Sequence, residues 1–250
     1  MSVKIPILTL RLFDIRIPDD PGDKQLLLTG AKDLLREHKD RCDAHGVDIA
    51  LFHNKDIAYS GIQLNRFQGI SEWTAIGAEY VKALNLWFEI FQETHPVELD
   101  NVVEIQERYT PAFLPYHKRY QISSFLINDD LAKELNNMND RFREADRIEK
   151  YIYGNLMTFF QHIGFEFDKD FYFLKVQVEE LIPYTKSLNV FHGHKKTALK
   201  VRFRCNFRLP QTLRLGQSTA LGFGKVKGLP RDYNSRQNKR SLNDYDISQF

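Results

Sequence analysis

The sequence is poor in the residues that build metal centres and disulfide frameworks. Its 250 residues include only two cysteines, Cys42 and Cys205, and these are too distant to form a CxxC pair. No apolar run reaches the length of a transmembrane helix, and the N-terminal residues lack the cleavage site of a signal peptide. P-loop and dinucleotide glycine motifs are absent, as are carboxylate clusters with metal-site spacing. We therefore expect a globular cytoplasmic protein with reduced thiols, no membrane segment, no metal and no cofactor.

The charge of the chain is distributed unevenly. The formal net charge is +2, but residues 186–250 carry 14 Lys and Arg against 3 Asp and Glu. Residues 1–185 carry 21 basic residues against 30 acidic residues. This asymmetry predicts a localised phosphate-binding surface on an acidic body. The alternative is a basic tail that only improves solubility.

A basic strand followed by a glycine-rich segment stands out within the positive region. Residues 196–209 are predicted to form a strand, with apolar side chains at every second position and basic or amide side chains between them. The segment beyond it contains three glycines, which permit a close backbone approach and can present N–H groups to phosphates. The pattern therefore indicates nucleic-acid binding. The polar positions of the strand are Arg202, Arg204, Asn206 and Arg208, and those after it are Arg214, Gly216, Gln217, Ser218, Gly222, Gly224 and Lys225.

The order of the predicted elements favours an α+β fold of two tandem ferredoxin-like units. Strands are expected at residues 3–15, 49–52, 58–64, 102–106, 120–127, 171–182 and 196–209. Helices are expected after residue 23, at 78–93 and in one long run over 130–162. We expect one domain over residues 1–118, a second with the glycine-rich segment over 119–230, and a basic polar tail over 231–250.

The histidines offer two local clusters with chemical potential. His53 follows an apolar segment and stands two residues before Lys55, and imidazole is suited to proton transfer near neutral pH. Polar residues at the end of a strand are also typical of an ordinary turn. His192 and His194 flank Gly193 in a basic loop, where a phosphate-contacting turn is favoured over a metal site.

Three stretches of the chain resemble the CRISPR-associated repeat-RNA processing endoribonucleases of the RAMP superfamily, in their "b" subgroup. The resemblance covers most of the chain, and the spacing between the stretches also fits. Lys55 stands where the family commonly has a second histidine, and Ser60 stands where it has proline. The stretches are Leu51-Phe52-His53-Asn54-Lys55 with Tyr59-Ser60-Gly61-Ile62-Gln63, then Gly154-Asn155-Leu156-Met157-Thr158-Phe159-Phe160, and finally residues 204–210 with Gly216 and Gly222-Phe223-Gly224.

The resemblance implies two ferredoxin-like domains and metal-independent cleavage of a CRISPR repeat transcript. The expected reaction is attack of a ribose 2′-OH on the adjacent phosphate, which gives a 2′,3′-cyclic phosphate and a 5′-OH. It places His53 at the active site as the proton-transfer group, with Lys55 stabilising the phosphoryl charge. The expected partner is the repeat RNA, and a CRISPR effector complex and a homodimer are left open.

Two other interpretations remain at this stage. The chain could be a non-cleaving RNA-binding subunit of a RAMP-type effector complex, in which Lys55 marks lost chemistry. It could also be an unrelated basic binding module, which the match of three separate stretches disfavours.

Overall fold

The structure, a computed structural model, describes residues 3–16, 21–52, 59–95, 101–166, 174–183, 188–191 and 194–230. These residues form two four-stranded antiparallel sheets, each in a ferredoxin-like unit, so the predicted α+β class is confirmed. Among the described residues, none of the helices combines the length and apolar character that a membrane span requires.

The first unit has the order βαββαβ. Its sheet runs β2-β3-β1-β4, so that each helix connects two strands with a third strand between them. The apolar face of the sheet packs on α1 and α3, because Leu8, Leu10 and Leu12 alternate toward the helices and are buried. Its elements are β1 (Ile5–Arg16), α1 (Pro21–Glu37), α2 (Lys39–Ala44), a 3-10 helix (Ile49–Phe52), β2 (Ile62–Phe67), β3 (Ile70–Ile76), α3 (Ala78–Thr94) and β4 (Val102–Tyr109).

The second unit repeats this strand order, with β10-β5-β9-β6 as the sheet. Its second crossover is the segment between β9 and β10, which holds the glycine-rich loop (residues 216–224) and a short 3-10 helix, Thr219–Leu221. The loop therefore occupies the place of a ferredoxin-like helix. The strands and α-helices of this unit are β5 (Phe113–Leu126), α4 (Asp129–Asn136), α5 (Arg141–His162), β6 (Val176–Pro183), β7 (Leu188–Phe191), β8 (His194–Lys196), β9 (Ala198–Phe207) and β10 (Lys225–Gly228).

The second face of the first sheet packs against the end of α5. The rings of Tyr59 and Tyr109 lie 5.3 and 6.4 Å from the ring of Phe159. The Tyr109 hydroxyl donates to the carbonyl of Arg208 at 2.5 Å, which links β4 to the end of β9. Ile5 and Ile7 belong to this same buried cluster. The two units therefore share a continuous apolar contact.

The boundary between the units lies earlier than expected from the sequence. The first sheet ends with β4 at Tyr109 and the second begins with β5 at Phe113. The expected boundary after residue 118 falls inside β5, so we place it between these strands. Pro115 is accommodated because the pairing of β5 with β9 shifts register between Phe113 and Lys118.

Two predicted elements were wrong in detail. Residues 49–52 form a 3-10 helix instead of a strand, because the Asp48 carboxylate accepts from the N–H of Ala50 at 2.8 Å and starts a turn. The long helix expected over 130–162 is two helices. Asp140 caps the second by accepting from the N–H of Phe142 at 2.9 Å, which ends the helical path between them.

Candidate nucleic-acid interface

The basic strand predicted from the sequence is β9, and its two faces are as expected. Val201, Phe203, Cys205 and Phe207 are completely buried against α5, whereas the arginines between them reach the opposite, outer face of the sheet. The period of two in a strand makes this separation unavoidable once the apolar face is buried. Burial raises the pKa of the Cys205 thiol to about 12, so this cysteine stays a neutral core residue.

The arginines of β9 are partly neutralised by two glutamates of β6. Arg202 donates to the Glu180 carboxylate at 2.5 Å. Glu179 pairs with Arg204 and also with Arg119 on β5, the latter at 2.7 Å. Each pair is partly exposed, so each is worth about 0–1 kcal/mol and can exchange with an anion in solution. The outer face of the sheet remains positive, but its cations are held in place by acids.

Arg208 differs from its neighbours on β9. Its side chain is exposed, and within the described part of the chain it has no ion pair or side-chain hydrogen bond. It is therefore the arginine of this strand that is most readily available to a phosphate.

Arg214 lies inside the protein rather than on its surface. Only 4% of the residue is exposed, and its guanidinium donates to the carbonyl of Gly222. Burial lowers its pKa to about 10, and the negative charge of the Glu72 carboxylate opposes this shift. The sequence predicted an RNA contact at this position; in the structure the arginine braces the glycine-rich loop from within.

The three glycines of the loop are required by the protein's own packing. Each has a positive φ, from +73° to +94°, which favours glycine over any residue with a side chain. Each also approaches another part of the backbone closely, so that the loop touches both units. An added Cβ would lie 2.7 Å from the carbonyl oxygen of Leu126 at Gly216, 3.1 Å from that of Leu64 at Gly222, and in overlap with that of Leu215 at Gly224.

Most N–H groups of the loop are already used. The N–H of Gln217 donates to Leu126, that of Gly222 to Thr219 and that of Gly224 to Ser124, at 3.0–3.1 Å. Backbone N–H groups without an internal acceptor in the described residues are those of Ser218, Thr219, Ala220 and Phe223. The side chains of Gln217 and Ser218 are partly exposed beside them. In the described part of the loop, the backbone N–H groups that lack an internal acceptor are therefore confined to this short stretch.

The three stretches that carry the family resemblance meet at this loop. The Asn155 side chain on α5 accepts from the N–H of Gly216 at 3.0 Å. The Tyr59 hydroxyl accepts from the side chain of Gln63 at 3.0 Å, and the Tyr59 ring lies 5.3 Å from the ring of Phe159 on α5. Burial raises the pKa of Tyr59, so its hydroxyl stays neutral. The Tyr59–Phe159 ring contact and the Asn155–Gly216 hydrogen bond thus connect the three stretches.

The proposed catalytic pair lies outside the described residues. His53 and Lys55 fall in the segment 53–58, which the structure does not describe. His192 and the tail 231–250 also lie outside the described residues. Both residues that flank the segment 53–58 are buried. Phe52 packs at 6.0 Å from the ring of Trp87, and Tyr59 at 4.9 Å from the ring of His162. Phe52 therefore lies in the core of the first unit, and Tyr59 lies in the apolar cluster that the two units share.

A cleft of about 680 Å³ lies between the sheet of the first unit and β10. Arg11, Lys118, Lys225 and Lys227 line it together with one acid, Glu107. The cleft therefore has an excess of positive charge. Across the described part of the chain, no group of three or more His, Cys, Asp or Glu side chains is placed to hold a metal ion.

Comparison with known proteins bears on the second unit first. Residues 114–229 match the family model described as the Cas6b C-terminal domain. This part of the chain is therefore similar to the Cas6b C-terminal domain. The match includes β5, α5, β9 and the whole glycine-rich loop, so the resemblance seen in the sequence is confirmed. No curated protein matches the chain.

Solved structures extend the similarity of fold to both units. Two structures named for Cas6b superpose with TM-scores of 0.58 and 0.59 at 15% and 14% identity, over 91% of this chain and 100% of the other. A third, named as Csf5, a CRISPR-Cas type IV Cas6 crRNA endonuclease, gives a TM-score of 0.51 at 14% identity over the same shares. At these identities the likeness establishes the fold alone, and it includes the first unit as well as the second.

Proposed function

We propose that this protein is an endoribonuclease that binds CRISPR repeat transcripts and cleaves them into guide RNAs. The second of the Cas6b structures is named as a CRISPR RNA processing endoribonuclease, and the third as a crRNA endonuclease. The observation that carries the proposal in this chain is the meeting of Tyr59, Asn155 and the glycine-rich loop. The loop belongs to the second unit, and Tyr59, which directly follows the segment with His53 in the sequence, belongs to the first. The Tyr59 ring packs on Phe159 of α5, the helix whose Asn155 binds Gly216.

The RNA is held, in this proposal, by the outer face of β9 and the exposed part of the glycine-rich loop. Arg208 offers a free cation, and Arg202 and Arg204 exchange their glutamates for phosphates. Lys225 adds a cation where the loop enters β10, and Arg214 keeps the loop in position. The residues assigned to RNA are Arg202, Arg204, Arg208, Gly216, Gln217, Ser218, Gly222, Gly224 and Lys225, with Arg214 as their internal support.

The cleavage step needs a proton acceptor, a proton donor and a cation. A ribose 2′-OH loses its proton and attacks the adjacent phosphorus, and the 5′ oxygen of the next nucleotide leaves with a proton. We assign the proton transfer to the imidazole of His53 and the stabilisation of the non-bridging oxygens to Lys55. An unperturbed lysine stays protonated at neutral pH, so Lys55 suits the electrostatic role better than that of the base. The products are a 2′,3′-cyclic phosphate and a 5′-OH.

The proposal is tested by incubating the repeat RNA of the encoding locus with the protein in excess EDTA. We expect cleavage at one position, a 2′,3′-cyclic phosphate on the upstream product, and no cleavage when the nucleotide before the cut is 2′-deoxy. Cleavage that appears only with added Mg²⁺ or Mn²⁺ contradicts the mechanism. Tight binding with no cleavage under any condition identifies the protein as a non-cleaving RNA-binding subunit instead.

A further inference from the structure

Lys24, in the first unit, reaches the glycine-rich loop of the second unit. It lies in the first turn of α1, and its ammonium donates to the carbonyl of Leu221 at 3.3 Å. The same nitrogen is 3.7 Å from the position that a Cβ on Gly222 would take. A lysine from one unit is thereby placed directly against the loop that the sequence identified in the other. Nothing in the sequence pattern of α1 marks this residue, because a lysine in a helix is usually a solvent-exposed residue.

The charges around Lys24 are mostly of its own sign. The buried Arg214 binds the neighbouring carbonyl of Gly222, and Lys225 pairs with Arg214 across an antiparallel bridge. Burial and the charge of Arg214 lower the pKa of Lys24, and the same two causes lower the pKa of Lys225. The nearby acid, Glu72, is already paired with Arg11 at 2.9 Å. Within the described residues Lys24 has no ion pair of its own.

The position of Lys24 in its helix adds to this excess. The first turn is the positive end of the helix dipole, where a cation is unfavourable and an anion is favoured. The Nε of Arg214 is buried and has no hydrogen-bond partner. Partly desolvated cations that outnumber the acids near them reduce stability, and an oxyanion placed among them relieves the repulsion.

We propose that the junction of α1 with the glycine-rich loop is an oxyanion site, in which Lys24 binds a backbone phosphate of the RNA and Arg214 supplies buried positive charge behind it. The assignment to RNA rests on the proposed function. A free phosphate ion has the same chemistry, so the test must separate the two sources. The site joins the units, since its direct cation comes from the first and its loop from the second.

The test compares Lys24→Gln and Lys24→Arg with Lys133→Gln, a control that removes one exposed charge from α4. Glutamine keeps a donor for the Leu221 carbonyl, so its main effect is the loss of charge. Binding is measured with a repeat RNA made uncleavable by the 2′-deoxy nucleotide, over roughly 0.05–0.5 M salt. In a second arm, thermal unfolding is followed in inorganic phosphate and in chloride at equal ionic strength.

We expect Lys24→Gln to lower the salt slope of binding by about 0.7 and the affinity at 0.1 M salt by about fivefold, the effect of one single-strand phosphate contact. Lys24→Arg should bind within about twofold of wild type, because it keeps the charge, and the control should match wild type. Inorganic phosphate can also raise the unfolding temperature of wild type more than that of Lys24→Gln. Together with the weaker RNA binding of Lys24→Gln, that result supports the proposal.

Three results overturn it in whole or in part. If wild type binds RNA and Lys24→Gln changes neither slope nor affinity, Lys24 does not contact the RNA. If RNA binding is unchanged but phosphate stabilises only wild type, the site takes a small free anion and the RNA assignment is wrong. If wild type does not bind RNA at all, the proposed function fails, and the phosphate measurement alone decides whether the oxyanion site exists.

Discussion

Neutralising Glu179 should strengthen RNA binding, which is an unusual outcome for a surface substitution. The Glu179 carboxylate is shared by Arg119 and Arg204, so this group of three carries a net charge of +1. Glu179→Gln raises that charge to +2 and removes the carboxylate that now binds the Arg204 guanidinium. The side chain of Glu179 is only 17% exposed, so in the RNA-free protein this acid competes with phosphate for the two arginines.

The magnitude follows from the extra phosphate that a freed arginine can bind. One added phosphate on single-stranded RNA steepens the salt slope by about 0.7, which corresponds to about fivefold in affinity at 0.1 M salt. In wild type the arginine must break its ion pair with Glu179 before it binds phosphate. Removing that pair therefore adds up to about 1 kcal/mol to the free energy of RNA binding. We therefore expect Glu179→Gln to bind uncleavable repeat RNA roughly five- to 25-fold more tightly than wild type at 0.1 M salt, with a steeper slope. The variant should also lose about 0.5–2 kcal/mol of unfolding free energy, because two arginines lose their partner.

The assay is fluorescence anisotropy of labelled RNA at several salt concentrations, with urea unfolding to measure stability. The matched control is Glu89→Gln on α3, which also removes an exposed acid paired with an arginine, Arg41, but in the first unit. We expect the control to alter affinity less than twofold. Equal increases in affinity in both variants would mean that only net charge matters. Unchanged affinity in Glu179→Gln would refute the assignment of RNA to the outer face of β9.

Three further predictions concern chemistry, the loop and pH. His53→Ala should lower the single-turnover cleavage rate by about 10²–10⁴-fold with little change in RNA affinity, whereas Lys55→His should be tolerated; full-speed cleavage by His53→Ala removes that residue from the mechanism. Gly224→Ala should reduce the unfolding free energy by more than about 1 kcal/mol in urea, because its φ is +73° and the new methyl group would overlap the Leu215 carbonyl; an unchanged midpoint contradicts this reason for the glycine. Burial among aromatic rings lowers the pKa of His162 to about 4 from its usual 6.5. As the pH falls, the histidine of the unfolded chain therefore takes up a proton at a higher pH than that of the folded protein. The resulting stability is complete above about pH 6.5 and is lost progressively toward pH 4, and His162→Gln should flatten that part of a pH series of urea unfolding curves.

The strands and helices with a clear apolar period could be predicted from the sequence. The alternation along β9 and the helical stripes of α1 and α3 are local patterns, and burial of the apolar side chains follows from them. Predictions were less successful where short polar side chains compete for backbone hydrogen bonds. Asp48 turned an apolar run into a 3-10 helix, and Asp140 divided one expected helix into two. The strands β3 and β10 were missed altogether, and β10 is only four residues long.

The sequence by itself determined the class of this protein: an α+β chain with a basic C-terminal region, an arginine-bearing strand and a glycine-rich loop. Charge type and spacing are properties of the chain, so they could be read directly. Only the tertiary structure decided what each charge does. Arg214 is buried, Arg202 and Arg204 are held by β6, and Lys24 reaches the loop from the first unit. These roles depend on contacts between residues far apart in sequence, and no local pattern encodes which partner a cation will meet.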